Sequence, residues 1–248
     1  MSKAFQKTLI NERTQIIEIL RQTSFDQFDP AIFHKQVIPY ASYAPWEGDE
    51  EFKKTHSLVK EHTLVDIYRC FELWNIARDL VKVEGNILEV GVWRGGTGAI
   101  ICKASEENER TKVFLADTFT GVVKATKMDT VYRGGEHSDT TIEAVTDLLA
   151  IVNANNFEIL NGVFPDDFPN INIGEIKLCH IDVDTYLSAK EIFEYVWPVI
   201  KVGGIVIFDD YGFLTCEGVT KYFNSLEPEN GRKIHNLNGH GLIIKFKA

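Results

Sequence analysis

The chain has 248 residues, 44% of them hydrophobic, with 26 Lys and Arg against 36 Asp and Glu, a formal charge of −10. That acidic balance argues against a nucleic-acid backbone or an anionic membrane as the main partner, and the length suffices for one large domain with a buried core. No stretch approaches the roughly 18 apolar residues of a membrane span, and MSKAFQKTLINERTQ lacks the apolar run of a secretion signal, so a cytoplasmic location is expected.

In chain order, residues 4–21 carry helical periodicity through Phe5, Leu9, Ile16, Ile17 and Leu20. An irregular stretch follows, with Pro30, Pro39 and Pro45, the aromatics Phe33, Tyr40, Tyr43 and Trp46, and the charged surface run GDEEFKK. Linkers are usually poorer in aromatics, so residues 1–62 read as a helical and lid or oligomerisation segment, compatible with a homodimer, with packing onto the main domain as the alternative. Residues 63–248 read as the main domain, opening with a largely buried helix over 63–81.

Strands then alternate with helices: strands at 86–90, 112–117, 157–160, 176–182 and 205–209, helices at 96–106, 139–152 and 186–199. Such alternation predicts an α/β fold with a doubly wound, mostly parallel sheet. After a short helix over 218–225, the runs 233–237 and 242–247 flank the turn NGHG and must pair antiparallel, which completes a seven-stranded sheet with a terminal hairpin. The aperiodic loop 120–139 is a candidate mobile substrate loop. Cys70, Cys102, Cys179 and Cys216 are scattered, without C-x-x-C spacing, and read as reduced core thiols.

Two features carry chemistry. ILEVGVWRGGTGAI runs from strand to glycine turn to helix: Gly91 permits the sharp turn, Gly95 and Gly96 permit close approach of a ligand, and the helix start offers free N–H groups to an anion. Asp117 closes the next strand, where an acid can accept ribose hydroxyls. Glu89, two residues before Gly91, needs a partner such as a ligand ammonium. IKLCHIDVDTY and IVIFDDYG both run from apolar strand to paired acids, setting Asp182, Asp184, Asp209 and Asp210 at neighbouring strand ends. Carboxylates ~4 Å apart repel by about 4 kcal/mol at an effective dielectric near 20, so the cluster needs a proton or a hard divalent cation. Asp184 shares a face with Asp182 if the strand persists that far. His180, on the same alternation, reads as a hydrogen-bonded core histidine or a second base, and His240 as an exposed turn residue, with a loop imidazole reaching the acceptor pocket as the alternative.

Five ordered stretches, Glu89–Thr97 (EVGVWRGGT), Asp117–Gly121 (DTFTG), Asn161–Pro165 (NGVFP), Asp182–Tyr186 (DVDTY) and Gly203-Gly204 ahead of Asp209-Asp210-Tyr211, resemble the macrocin O-methyltransferase family over residues 63–223. That family comprises metal-dependent sugar O-methyltransferases that use S-adenosylmethionine. The resemblance implies a class I methyltransferase fold, with the cofactor contacted by Thr63, Glu89, Gly91, Gly95, Thr97, Asp117, Thr118, Gly162, Phe164 and Asp182. It further implies Mg²⁺ or another divalent cation on Asp182, Asp209 and Asp210, Asp184 as general base, and a small sugar or glycosylated acceptor. The first sixty residues and the VVKATK continuation after Gly121 depart from the family pattern, and both are acceptor-facing. Two alternatives stand beside this reading: a catechol-type methyltransferase, and an NAD-dependent oxidoreductase or epimerase.

Overall fold

The computed structural model describes residues 3–26, 28–236 and 238–247, with side chains from Ile10 onward. The expected apolar side chains of Phe5 and Leu9 and the expected strand residue Leu237 lie outside the described residues. The chain divides into the units Met1–Ala44 and Pro45–Ala248. Residues 45–62, expected with the N-terminal segment, therefore belong to the larger unit.

In the smaller unit, helix α1 (Lys3–Arg21) is followed by chain that folds back on its end. The Arg21 Nε and Nη2 atoms donate to the Ile38 carbonyl at 2.9 and 2.6 Å, and the guanidinium lies 3.5 Å over the Tyr40 ring. Ile17 is buried while Ile16 and Leu20 are exposed.

The larger unit opens with a helix that the charged run GDEEFKK conceals, α2 (Glu50–Val59). Asp49 caps it by accepting from the Phe52 N–H at 2.9 Å, and Phe52, Thr55 and Val59 recur at helical spacing to form its buried face. The other Asp49 oxygen accepts from Trp74 Nε1 (3.2 Å) and Arg78 Nη1 (3.0 Å), so one acid both starts α2 and fastens it to α3 (Ile67–Asp79). Helix α3 begins four residues later than expected because Asp66 is its N-cap, accepting from Tyr68 and Arg69 N–H, which leaves Thr63 extended and Leu64 and Val65 in a bend.

The sheet is built from β1 (Asn86–Val90), β2 (Val113–Asp117), β3 (Phe157–Asn161), β4 (Ile176–Ile181), β5 (Ile200–Phe208), β6 (Gly231–Asn236) and β7 (His240–Lys245). Among the described residues its order is β3-β2-β1-β4-β5-β7-β6, with the first five strands parallel and β7 antiparallel to both neighbours. The doubly wound sheet with its terminal hairpin is thus as the alternation implies. Strict side-chain alternation splits the core in two. Ile87, Leu115, Leu178 and Ile207 pack under α2, α3, α4 (Gly96–Ala104) and α5 (Ile142–Ile151). Leu88, Phe114, Cys179 and Phe208 pack under α6 (Tyr186–Val196) and α7 (Glu217–Ser225). All four cysteines are buried and free. No described helix is long and apolar enough to cross a membrane.

The 120–139 loop, expected as a mobile substrate segment, is anchored at several points. Val122 exchanges backbone hydrogen bonds with Glu136 and Gly135 at 2.8 Å, and Thr185 and Ser188 donate to the Val123 carbonyl. Lys124 pairs with Glu191, and buried Asp129 accepts from the Tyr186 N–H at 2.8 Å at the start of α6. Absence of periodicity marked irregular backbone here, and the anchoring comes from side chains that periodicity does not reveal.

Candidate active site

Beyond the last residues of the parallel strands the ladder continues, and this aligns the chemistry. Gly91 N–H donates to Ala116 O, Gly162 to Asp117 O, Asp182 to Val90 O and Asp209 to Ile181 O, each at 2.9 Å. Gly91, Asp117, Asp182 and Asp209 therefore share the carboxyl edge of the sheet, where a cavity opens. It is lined by Thr63, Gly91, Thr97, Asp117, Thr118, Gly162, Phe164, Asp182, Asp184, Asp209 and Asp210, eleven of the thirteen expected site residues. Gly95 and Glu89 are not among its lining.

At the glycine turn Gly91 adopts φ +91°, and a Cβ there would stand 1.6 Å from the Asp182 carbonyl oxygen, so only glycine fits. Gly95 is the left-handed N-cap of α4 and carries no capping side chain, which leaves the first N–H groups of the helix open to a ligand. Gly96 lets the 62–63 backbone approach: a Cβ would meet the His62 carbonyl at 2.6 Å. This packing holds Thr63 at the cavity. Asp117 is oriented by three backbone donors, Val92 (2.7 Å) and Trp93 (2.8 Å) on Oδ2 and Phe119 (2.7 Å) on Oδ1.

The acid end is electrostatically opposite. The ligand oxygens of Asp182, Asp209 and Asp210 lie within 4.8 Å of one another. Burial, followed by repulsion from Asp209 and Asp210, pushes the Asp182 carboxyl well above the ordinary carboxylate range, and burial with Asp209 raises Asp210. Strand β4 ends at Ile181, so alternation does not position Asp184. A turn does so, with Asp184 at φ +63° and its N–H donating to Asp210 Oδ2 at 2.8 Å. Its carboxyl is also carried well upward by burial and then by Asp210, with the Tyr132 hydroxyl and the Cys216 thiol, 3.6 Å from Oδ1, as opposing donors.

Asp209 is the exception. Burial alone would raise it, but hydrogen bonds from His180 and His240 and the Arg69 guanidinium carry it below the ordinary carboxylate range. Register explains the grouping: Glu89 pairs with His180, and His180 with Ile207, two residues before Asp209. Leu242 of β7 faces Ile207, so the same alternation brings His240 opposite Asp209. The result is a row of side chains on one sheet face. His180 Nδ1 lies 2.9 Å from Glu89 Oε1 and its Nε2 3.3 Å from Asp209 Oδ1. His240 Nε2 lies 2.9 Å from the same Asp209 oxygen and its Nδ1 2.5 Å from Glu72 Oε2. Arg69, fixed by Asp66 at 2.9 Å, pairs with Asp209 Oδ2.

Two expectations change. Glu89, proposed to meet a ligand ammonium, is fully buried and partnered by His180, because its alternation directs it beneath the α2–α5 layer and away from the cavity. His240, expected in an exposed turn, is wholly buried as the first residue of β7. Sequence reasoning missed Glu72, Tyr132 and Cys216 and left Arg69 without a role. The i, i+3 spacing of Arg69 and Glu72 on one helix was the available signal.

Comparison with known proteins follows the same lines. The family described as Macrocin-O-methyltransferase (TylF) matches residues 6–236. The mycinamicin III 3''-O-methyltransferase of Micromonospora griseorubida is 31% identical over 65% of this chain and 70% of its own length. The 8-demethyl-8-(2,3-dimethoxy-alpha-L-rhamnosyl)-tetracenomycin-C 4'-O-methyltransferase of Streptomyces olivaceus is 28% identical over 62% and 64%. Across the curated relatives, the matches span 62 to 70% of their length. The structure of the O-methyltransferase NovP superposes with a TM-score of 0.66 at 22% identity, covering 75% of this chain and 83% of that one, a likeness of fold.

Proposed function

The chain belongs to the macrocin O-methyltransferase family, and we propose that it transfers the methyl group of S-adenosylmethionine to a hydroxyl of a sugar or glycosylated metabolite. The observation that carries this reading is that Asp117 with the Gly91 turn and the acids Asp182, Asp184, Asp209 and Asp210 open into one cavity. A nucleoside site and a carboxylate cluster in one space suit a donor and a hydroxyl acceptor side by side. The relative named for the 4'-oxygen of a rhamnosyl compound supports a sugar as the acceptor.

Asp117, oriented by three N–H groups, keeps lone pairs for the ribose hydroxyls, and the uncapped start of α4 with the Gly91 turn receives the methionine end. The donor set fits a hard cation: three clustered oxygen ligands, with Asp182 and Asp210 raised by burial and then by the charge of Asp209. Asp182, Asp209 and Asp210 would hold Mg²⁺ or a similar ion. When bound, such an ion would orient a chelated hydroxyl and lower its pKa. Asp184 accepts the hydroxyl proton: burial and Asp210 raise its basicity, while Tyr132 and Cys216 steady the carboxylate. The enclosing walls, including Val123 and Phe164, restrict water around the reacting oxygen.

The test is transfer of a labelled methyl group to a panel of glycosylated and nucleotide-linked hydroxyl acceptors, with and without chelator, beside calorimetry with S-adenosylhomocysteine and with NAD. Binding of S-adenosylhomocysteine and labelled glycosides are expected. Tight NAD binding without S-adenosylhomocysteine binding would overturn the proposal.

A further inference from the structure

The row Glu89, His180, Asp209, His240, Glu72 alternates acid and imidazole. Both imidazoles direct Nδ1 at a carboxylate that accepts only, so each Nδ1 carries its hydrogen there. Glu72 is itself held, its second oxygen accepting from Asn236 Nδ2 at 2.5 Å. With Nδ1–H fixed, each ring presents Nε2 to Asp209 Oδ1, at 3.3 Å from His180 and 2.9 Å from His240. Two imidazole nitrogens and a carboxylate oxygen lie within 4.8 Å of one another, and His180, His240 and Asp209 are all buried.

We propose that His180 Nε2, His240 Nε2 and Asp209 Oδ1 form a second metal position for a borderline divalent cation such as Zn²⁺, adjoining the three-carboxylate position and sharing Asp209 with it. Zinc bonds of about 2.0–2.1 Å in tetrahedral geometry separate ligand atoms by roughly 3.3 Å, the spacing of His180 Nε2 from Asp209 Oδ1, and the 2.9 Å pair of His240 and Asp209 would open by about 0.4 Å. A carboxylate behind each ligating imidazole is the arrangement that fixes tautomer and ring orientation in metal sites. Imidazole nitrogens with one oxygen favour Zn²⁺ or Co²⁺ over Mg²⁺, which takes oxygen donors. Asp209 and Arg69 line the cavity, so an ion reaches the position from there. Binding exchanges the two Nε2 protons for one cation of the same total charge. The ion would tie β4, β5 and β7 together, with α3 joined through Glu72.

The experiment uses the full chain, stripped by chelator and titrated with Co²⁺ in excess Mg²⁺ while ligand-field absorption in the visible is followed. Wild type is expected to bind one equivalent with intense low-symmetry bands that Mg²⁺ does not displace, and to melt at higher temperature with Zn²⁺ than without. Asp182→Asn should retain the bands, whereas His180→Ala and His240→Gln should lose them, with folding checked by near-ultraviolet circular dichroism. Absence of bands in wild type, meaning that protons alone fill the position, would overturn the proposal. So would bands that survive both histidine substitutions, or bands lost in Asp182→Asn. The wild-type titration stands even if a buried-histidine variant fails to fold. None of these readouts depends on methyl transfer.

Discussion

At the Asp117 end of the sheet edge, the acid is met by three backbone N–H groups and its geometry is complete before any ligand arrives. Two strands along the same edge, half-buried Asp182 and Asp184 cluster with buried Asp210, and their carboxyls are driven upward by desolvation and by their neighbours. The first end is satisfied by the chain and positions what it binds. The second is left electrostatically incomplete, and burial that would destabilise an ordinary core is there available for a cation and a proton. Positioning and reactivity are thus divided between two treatments of the same side chain.

The sharpest way to break this comparison is Asp184→Asn, which removes the proposed proton acceptor and leaves the Asp117 end untouched. Turnover measured by labelled methyl transfer should fall by about 10²–10⁴-fold, with S-adenosylhomocysteine affinity unchanged by calorimetry. Equal losses in rate and affinity would mean that the two ends do not divide their tasks.

Gly91→Ala attacks the point where the ends touch. The added Cβ would clash with the Asp182 carbonyl oxygen at a backbone φ of +91°, and the expected cost is about 3 kcal/mol of stability in urea denaturation. Asp117→Asn should be milder. Loss of charge-assisted hydrogen bonding, about 1.5–3 kcal/mol, should weaken S-adenosylhomocysteine binding roughly 10–100-fold, while kcat at saturation holds.

The smallest effect lies at the opposite end of β4. Lys177 is enclosed with its Nζ 2.7 Å from Thr111 Oγ1 and 3.1 Å from Val83 O, and burial lowers its pKa from 10.5 to about 8. The unfolded chain then holds more protons than the folded one between pH 8 and 10.5, so stability from this group rises with pH across that window, and below it the full cost of burying the charge is present. Measured against Lys177→Met in urea, wild type should gain about 1–2 kcal/mol over this window. A flat difference would refute the depressed pKa.

Much of this was legible before any coordinates. Apolar runs ending in acids placed β4 and β5, the glycine turn placed the start of α4, and the closing hairpin followed from two strands too close to cross over. Eleven of the thirteen expected site residues meet at one cavity because strand ends in a parallel sheet share an edge. What escaped was register and local capping. Helix α2 was hidden because its charges dominate GDEEFKK while Asp49, its cap, reads as one more surface acid. Glu89 was sent to the wrong face because its place in the strand was judged by distance from Gly91 and not by pairing with His180. The burial of His240 follows only once β7 is known to insert between β5 and β6.

That insertion has a consequence for how the molecule comes into being. Glu72 and His240 are separated by 168 positions, and the Asp209 carboxylate receives one of its three cation-bearing partners from the last strand of the sheet. A growing chain therefore assembles the glycine turn, Asp117 and the acid strands while Asp209 still lacks His240. Only when β7 lies between β5 and β6 does Asp209 gain its third partner, so this sheet edge is completed by a strand made after the acids it serves.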